Sequence, residues 1–180
     1  MDYVIDKRTG KPIEVKVKWA SWEDKRYLIN SERWKKSVFG GWRGIVNDGY
    51  NIRVLTHKET GEVLGAYAFS IHKEKGYLFI DYIESIVKDE IKYIGTTLMK
   101  DAVKQAFQCG FKGRVRLISR WTKEETQAPE KFFLKIGMEK EVGNIHCLDA
   151  NIHYWNFSFD EESAKKFLEK CDELLSNKNN

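Results

Sequence analysis

The sequence predicts an α/β domain, a mixed sheet with helices on both faces, on three observations. Of its 180 residues, 42% are apolar and 13% aromatic, enough to fill one core and too many for a wholly disordered chain. Segments of period two and segments of helical spacing both occur, and in the second half they alternate, strand by helix. One segment, 77–87, is nearly continuous in apolar residues, as expected of a central strand covered on both faces. Residues 1–176 are expected to form a single domain and the polar tail 177–180 to fray.

Taken in order, Ile13, Val15, Val17 and Trp19 alternate with Glu14, Lys16 and Lys18, the pattern of a half-buried strand. Ser21 can cap a helix whose first turn holds Glu23 and Asp24. Helical character is expected to run on through Trp34 to Phe39, with a break near Asn30. Gly40, Gly41 and Gly44 bracket Trp42 and Arg43 and read as a loop. Strands are expected over 51–55 and 62–71, joined by a turn at Thr60-Gly61. A second turn at Gly76 precedes the strand 77–87, whose interruptions are Asp81, Glu84 and Ser85.

Met99, Ala102, Val103, Ala106 and Phe107 then recur at helical spacing, and Gly110 stands where a C-terminal cap belongs. A strand over 114–120 places Val115 and Leu117 on one face. Pro129 suits the first turn of a helix that carries Phe132, Phe133 and Ile136 and stops at Gly137. Ile152–Phe159 reads as a late strand. Ala164, Phe167, Leu168, Cys171, Leu174 and Leu175 mark an amphipathic last helix, with Ser158 and Glu161 at capping-box spacing.

Composition narrows the function. Lys and Arg number 31 against 27 Asp and Glu, a formal charge of +4 that is spread along the chain. That favours an anionic ligand mildly and argues against the clustered basic stripe of a nucleic-acid binder. No run reaches the eighteen or so apolar residues of a membrane span, and 1–10 lacks the apolar block of a secretory signal. Three cysteines without a Cys-x-x-Cys pair argue against a disulfide framework or a four-cysteine zinc site, so a cytoplasmic location is expected. His57, His72, His146 and His153 lack the spacing of a helical zinc motif. His146-Cys147 with His153 reads as ordinary strand residues rather than a metal cluster. Gly-x-Ser-x-Gly and Walker-type loops do not occur.

Three features in fixed order carry a resemblance. The apolar strand 77–87 leads into Lys92-Tyr93-Ile94-Gly95-Thr96-Thr97-Leu98-Met99. Gly-Phe-Lys-Gly-Arg-Val-Arg-Leu follows at 110–117, and then Phe132-Phe133-Leu134-Lys135-Ile136-Gly137-Met138. Together these resemble the GNAT superfamily of acetyl-CoA-dependent N-acetyltransferases, whose signature near the last piece is Phe-Tyr-x-x-x-Gly-Phe. The resemblance covers about a third of the chain, and it implies a mixed, mainly antiparallel sheet with helices on both faces.

A loop feeding a helix start suits phosphate oxygens, because the first turn has unpaired N–H groups and the positive end of the helix dipole. Glycine lets the backbone approach closely, and Lys92 adds charge. The family's pattern is Arg/Gln-x-x-Gly-x-Gly/Ala. One register matches Lys92-Tyr93-Ile94-Gly95-Thr96-Thr97. A second equates Gly95 with the final glycine and starts the helix at Thr96-Thr97-Leu98-Met99. The second is preferred, because it turns Leu98 and Met99 inward, although it shortens the loop. An ordinary helix start is the plainer reading of Gly-Thr-Thr taken alone.

Glu84, a carboxylate in an apolar strand, is expected to have a raised pKa and to suit a general base that deprotonates an ammonium. The alternative is a glutamate that pairs with a lysine or binds the acceptor, and Asp81 is a second choice. The resemblance implies that backbone groups of Ile86 and Val87 line the pantetheine arm, their side chains being core. Phe133 stands where the family commonly has a tyrosine that protonates the thiolate. This leaves the general acid open among Tyr82, Tyr93, Tyr154 and solvent. Ser119 can donate a hydrogen bond inside the cleft, with surface exposure the plainer expectation. Trp34 or Trp42 can wall the acceptor site, though core is the plainer reading of any tryptophan.

The expected function is acetyl transfer from acetyl-CoA, as co-substrate, to a primary amine, by direct attack in a ternary complex. Backbone N–H groups of the splayed strand would stabilise the oxyanion. A catalytically silent acyl-CoA-binding module is the alternative, with a nucleic-acid-binding module behind it. The acceptor stays open, a charged tRNA included, and so does the oligomeric state, a homodimer included.

Overall fold

The computed structural model describes residues 2–31, 41–86, 90–122, 128–141 and 152–176. In chain order the elements are β1 (Asp2–Asp6), β2 (Pro12–Trp19), α1 (Trp22–Asn30), α2 (Gly41–Asn47), β3 (Asn51–His57), β4 (Val63–His72) and β5 (Tyr77–Ser85). Then come β6 (Ile91–Lys92), α3 (Ile94–Gln108), β7 (Val115–Thr122), α4 (Ala128–Lys135), β8 (Glu139–Lys140), β9 (Ile152–Phe159) and α5 (Glu161–Ser176). The fold is α/β, with a large, mainly antiparallel sheet and helices, as expected. Among the described residues no helix is long and apolar enough to cross a membrane. The chain divides into two compact units.

The first unit comprises Met1–Ser70 and Asp81–Asp101. Its strands run in the order β6-β1-β2-β3-β4, each antiparallel to the next. The sequence reading lacks β1, which is too short to show a period yet buries Val4 and Ile5. Lys100, buried on α3, holds that strand through Asp2 at 3.1 Å. Ser21 caps α1 as expected, in a full capping box. Its Oγ accepts the Asp24 N–H at 3.1 Å, and Asp24 Oδ2 accepts the Ser21 N–H at 2.8 Å. Burial would raise the Asp24 carboxyl, but the Lys18 ammonium at 2.9 Å and the two Ser21 donors outweigh it and hold it below its ordinary value.

One expectation here changes, and one, the break near Asn30, agrees as far as it is described. α1 ends at Asn30, and the continuation through Trp34 to Phe39 lies outside the described residues. The loop read at Gly41 and Gly44 is the helix α2 instead. Gly44 in a helix costs about 1 kcal/mol against alanine, whereas burying Trp42 to 3% exposure is worth about 1.5–3 kcal/mol for a large apolar side chain. Tertiary burial outweighs local propensity at that point.

The core of this unit is built on Leu55, Leu64, Tyr67, Phe69, Leu98 and Met99. A polar cluster crosses it. Arg53 of β3 forks onto Asp101 of α3, with Nε to Oδ2 at 2.6 Å and Nη2 to Oδ1 at 3.0 Å. The Tyr67 hydroxyl donates to the same Oδ2 at 2.7 Å. Burial, and then the Asp101 carboxylate, push that hydroxyl well above its ordinary pKa, so it stays a donor.

The second unit comprises Ile71–Ile80 and Ala102–Asn180, with strand order β5-β7-β9-β8. β5 and β7 are parallel, and the ladder covers Leu78↔Val115 to Ile80↔Leu117. β7 and β9 are antiparallel over eight pairs. Val115, Leu117, Phe157, Phe159, Ala164 and Phe167 are buried. Gly110, at φ +80°, ends α3 as expected, with the Phe111 N–H on the Ala106 carbonyl and its own on that of Phe107.

Three further expectations are corrected. β5 is not uniformly buried: Leu78 and Ile80 are interior while their neighbours are half-exposed. The cap of α5 is not Ser158 with Glu161, because Ser158 pairs with Arg116 inside β9. Asp160 takes that place, its carboxylate accepting the Ser163 N–H at 2.7 Å while Ser163 Oγ accepts the Asp160 N–H at 3.0 Å. Finally, the apolar face of α5 buries Ala164, Phe167 and Cys171 but leaves Leu174 exposed. The tail 177–180 lies outside the described residues.

Candidate functional site

In the first unit, α3 opens directly after β6. Its first intrahelical bond runs from the Thr97 N–H to the Tyr93 carbonyl at 2.9 Å, and Thr97 Oγ1 donates to the same carbonyl at 2.8 Å. The N–H groups of Ile94, Gly95 and Thr96 precede that bond and have no acceptor among the described residues. The first turn carries no acidic side chain, whereas α1, α4 and α5 all do. The end is therefore electropositive and uncapped, as an anion site requires.

Tyr93 has φ +73°, a conformation glycine adopts freely and a tyrosine only under strain. Counting the family's pattern back from Gly95 as its final glycine puts Tyr93 at the first glycine. The backbone at Tyr93 thus makes a glycine-type turn with a tyrosine in it. Leu98 and Met99 are fully buried. The side chains sort the other candidates. Lys92 is exposed and paired in β6 with Ile5, one residue before the turn. Ile94 and Thr97 are buried, so only the backbone of Ile94 can meet a ligand there, and Thr97 already uses both its donors. Gly95 and Thr96 are half-exposed.

Glu84 lies on the C-terminal part of β5, from Asp81 onward, which belongs to the same unit. Its Oε2 accepts the Trp42 indole N–H at 3.0 Å and the Tyr82 hydroxyl at 3.2 Å. The two rings meet edge to face, with centroids 5.0 Å apart. The carboxylate is thus oriented by donors from α2 and from its own strand. Sequence reasoning found Glu84 but treated Trp42 and Tyr82 separately; alternation along β5 puts Tyr82 and Glu84 on one face, and nothing in the sequence joins Trp42 to them.

Gly65 of β4 brings these parts together, and sequence reasoning missed it. A Cβ there would lie 2.7 Å from Ile94 Cγ2, 2.9 Å from Leu98 Cδ1 and 3.3 Å from the Glu84 carbonyl oxygen. The bare backbone of Gly65 lets the start of α3 and the Glu84 segment close on one spot.

The remaining candidates separate. The side chain of Ile86 is core, as expected, but its N–H donates to the Leu64 carbonyl at 3.0 Å. Only its carbonyl is left for the pantetheine role, and its N–H cannot serve as an oxyanion donor. Val87, Trp34, His146 and Cys147 lie outside the described residues, as does the side chain of His153. Asp81 is half-buried and Tyr154 buried. In the second unit Phe133 is 6% exposed and packs on Phe157 at 5.3 Å. Its place is in the core, with little surface for a ligand. Ser119 is buried, correcting the expectation of surface exposure.

No family model matches the sequence, and no curated protein matches it. Solved structures do. The ribosomal-protein-S18-alanine N-acetyltransferase from Escherichia coli is 11% identical, with a TM-score of 0.60 over 81% of this chain and 93% of that one. A provisionally assigned GNAT-family acetyltransferase from Desulfovibrio desulfuricans is 12% identical, with a TM-score of 0.67 over 82% and 99%. A provisionally assigned streptothricin acetyltransferase from Bacillus anthracis, solved with acetyl coenzyme A, is 14% identical, with a TM-score of 0.59 over 82% and 99%. The chain has the fold of the GNAT acetyltransferases.

Proposed function

We propose that the protein transfers an acetyl group from acetyl-CoA to a primary amine. The observation that carries this reading is the uncapped start of α3. Three N–H groups there without an acceptor among the described residues, fed by a left-handed residue, share a unit with a carboxylate oriented by Trp42 and Tyr82. Acetyl-CoA supplies an activated thioester when bound. The N–H groups of Ile94, Gly95 and Thr96 donate to its diphosphate oxygens, and Lys92 adds a positive charge beside them. Glu84 takes a proton from the acceptor ammonium, directly or through water, which frees the lone pair that attacks the thioester carbonyl. The C–N bond forms as the C–S bond breaks, the attacking nitrogen gives its second proton to water, and the leaving thiolate takes a proton. Phe133 has no hydroxyl to give one, so solvent or one of Tyr82, Tyr93 and Tyr154 supplies it.

Thermal unfolding with and without acetyl-CoA tests binding, because a ligand that prefers the folded state raises its stability. The expected result is a rise with acetyl-CoA, together with release of free thiol when a panel of primary amines is added. A rise without thiol release favours the silent binder, which the buried Phe133 and the Tyr-for-Gly exchange at Tyr93 would suit. No rise, with salt-sensitive RNA binding instead, turns the assignment to nucleic acid.

A further inference from the structure

Tyr93 keeps a left-handed backbone, at φ +73°, and a strained residue persists only where its surroundings fix the chain on both sides of it. Thr97 grips its carbonyl from within α3. The remaining constraint comes from β1, far away in sequence. Ile5 and Asp6 of β1 pair with Lys92 and Ile91 of β6, and the Lys7 N–H donates to the Glu90 carbonyl at 2.7 Å. That ladder fixes the limb that enters the turn. At the other end of β1, Asp2 Oδ1 accepts the Lys100 ammonium at 3.1 Å. Lys100 lies on the second turn of α3, so this bond fixes the limb that leaves the turn. One five-residue strand therefore holds both limbs.

Each part of this arrangement depends on β1. Strand β6 has two residues and sits at the edge of the sheet with β1 as its neighbour, and a strand so short takes its place from its partner. β1 itself is anchored by its ladder to β2 and by the burial of Val4 and Ile5. The Lys100 side chain is only 9% exposed. Solvent loosens a surface ion pair, whereas a buried ammonium needs its carboxylate. We propose that the Asp2–Lys100 pair is a positioning device for the diphosphate turn. It holds the first turn of α3 at a set offset from β6, and so places the N–H groups of Ile94, Gly95 and Thr96. This rests on the acetyl-CoA reading and adds two positioning residues to it, which act through the backbone of the turn.

The test compares the wild-type chain with Lys100→Met, which keeps the buried stem and removes the charge, and Asp2→Asn, which keeps an oxygen acceptor. Lys58→Met is the control, since it deletes the ion pair to Glu14 in the same sheet. Calorimetric titration gives the dissociation constant for acetyl-CoA well below the unfolding temperature, and transfer kinetics give kcat and both KM values. Lys100→Met should weaken acetyl-CoA binding about tenfold, the worth of one hydrogen bond to a charged oxygen. Its KM for acetyl-CoA should rise alike, while kcat and the KM for the amine hold, because Glu84 is untouched. Asp2→Asn should fall between, and Lys58→Met should bind as the wild type does. Unchanged binding in Lys100→Met, whatever its unfolding temperature, overturns this inference and spares the acetyl-CoA reading. Equal weakening in Lys58→Met overturns it too, as does a fall in kcat alongside the loss of binding, since the whole unit has then shifted. Should Lys100→Met fail to fold, Asp2→Asn decides by the same criteria, because the Asp2 side chain is 31% exposed and its exchange is mild. In a chain that binds without transfer, the dissociation constants alone decide. A wild-type chain that does not bind acetyl-CoA overturns both.

Discussion

The carboxylate of Glu84 combines two properties that substitution can separate, its charge and its orientation. Trp42 and Tyr82 both donate to one of its oxygens, and a glutamine carbonyl can accept both bonds without being able to take a proton. Glu84→Gln should therefore lower kcat by about 10²- to 10⁴-fold, the usual worth of a general base. Affinity for acetyl-CoA and the unfolding temperature should stay near wild type. Trp42→Phe keeps a ring but deletes the donor to a charged group, which should cost about 1.5–3 kcal/mol of stability and lower kcat less than Glu84→Gln does. Steady-state kinetics with denaturant unfolding on both variants checks this. A Glu84→Gln enzyme with near-wild-type kcat would leave Glu84 a structural or acceptor-binding residue. Tyr93 shows the opposite kind of arrangement, a strained residue whose carbonyl is gripped by Thr97. Its left-handed backbone costs about 1–2 kcal/mol, and both donors of Thr97 converge on its carbonyl.

At the level of elements, the position of α3 is what gives the candidate site its shape. Arg53, Tyr67 and Asp101 tie β3 and β4 to it through paired, buried polar groups. Removing one member of such a pair leaves the other buried without compensation. Gly65 sets the distance of closest approach. Ile94 and Leu98, which an added methyl would strike at 2.7 and 2.9 Å, are both buried. Gly65→Ala should cost about 1–3 kcal/mol by overpacking, a fall of about 2–4 °C in unfolding temperature for each kcal/mol. It should also raise the KM for acetyl-CoA by shifting the first turn of α3. Gly44→Ala supplies the contrast, since a Cβ there meets nothing within 4 Å and α2 should gain about 1 kcal/mol from the better helix former. A Gly65→Ala protein as stable as wild type, with unchanged KM, would show that β4 and α3 have slack at this contact.

Across the whole molecule, what the sequence disclosed follows from how local each determinant is. The late strand at Ile152–Phe159, the caps at Ser21 and Gly110 and the inward turn of Leu98 and Met99 depend on neighbours in the chain, and all were legible. Helix α2 was hidden because its glycines advertise a loop while Trp42 is held by Glu84, far away in sequence. Ser119 was misplaced although its alternation with Val115 and Leu117 already marked the buried face; a polar side chain outweighed the period. One expectation at this scale concerns cooperativity. Strands β4 and β5 and helix α3 each run from one compact unit into the other. A strand truncated midway has little stability of its own, and a severed helix of one or two turns is marginal in water. Neither unit should therefore melt alone. Scanning calorimetry of the full chain should show one transition whose calorimetric and van't Hoff enthalpies agree, and acetyl-CoA at about a hundred times its dissociation constant should move that transition intact by about 2.7 kcal/mol of stability. Two resolved transitions, only one of them moved by ligand, would mean that residues 1–176 hold two folding domains and that the cofactor belongs to one.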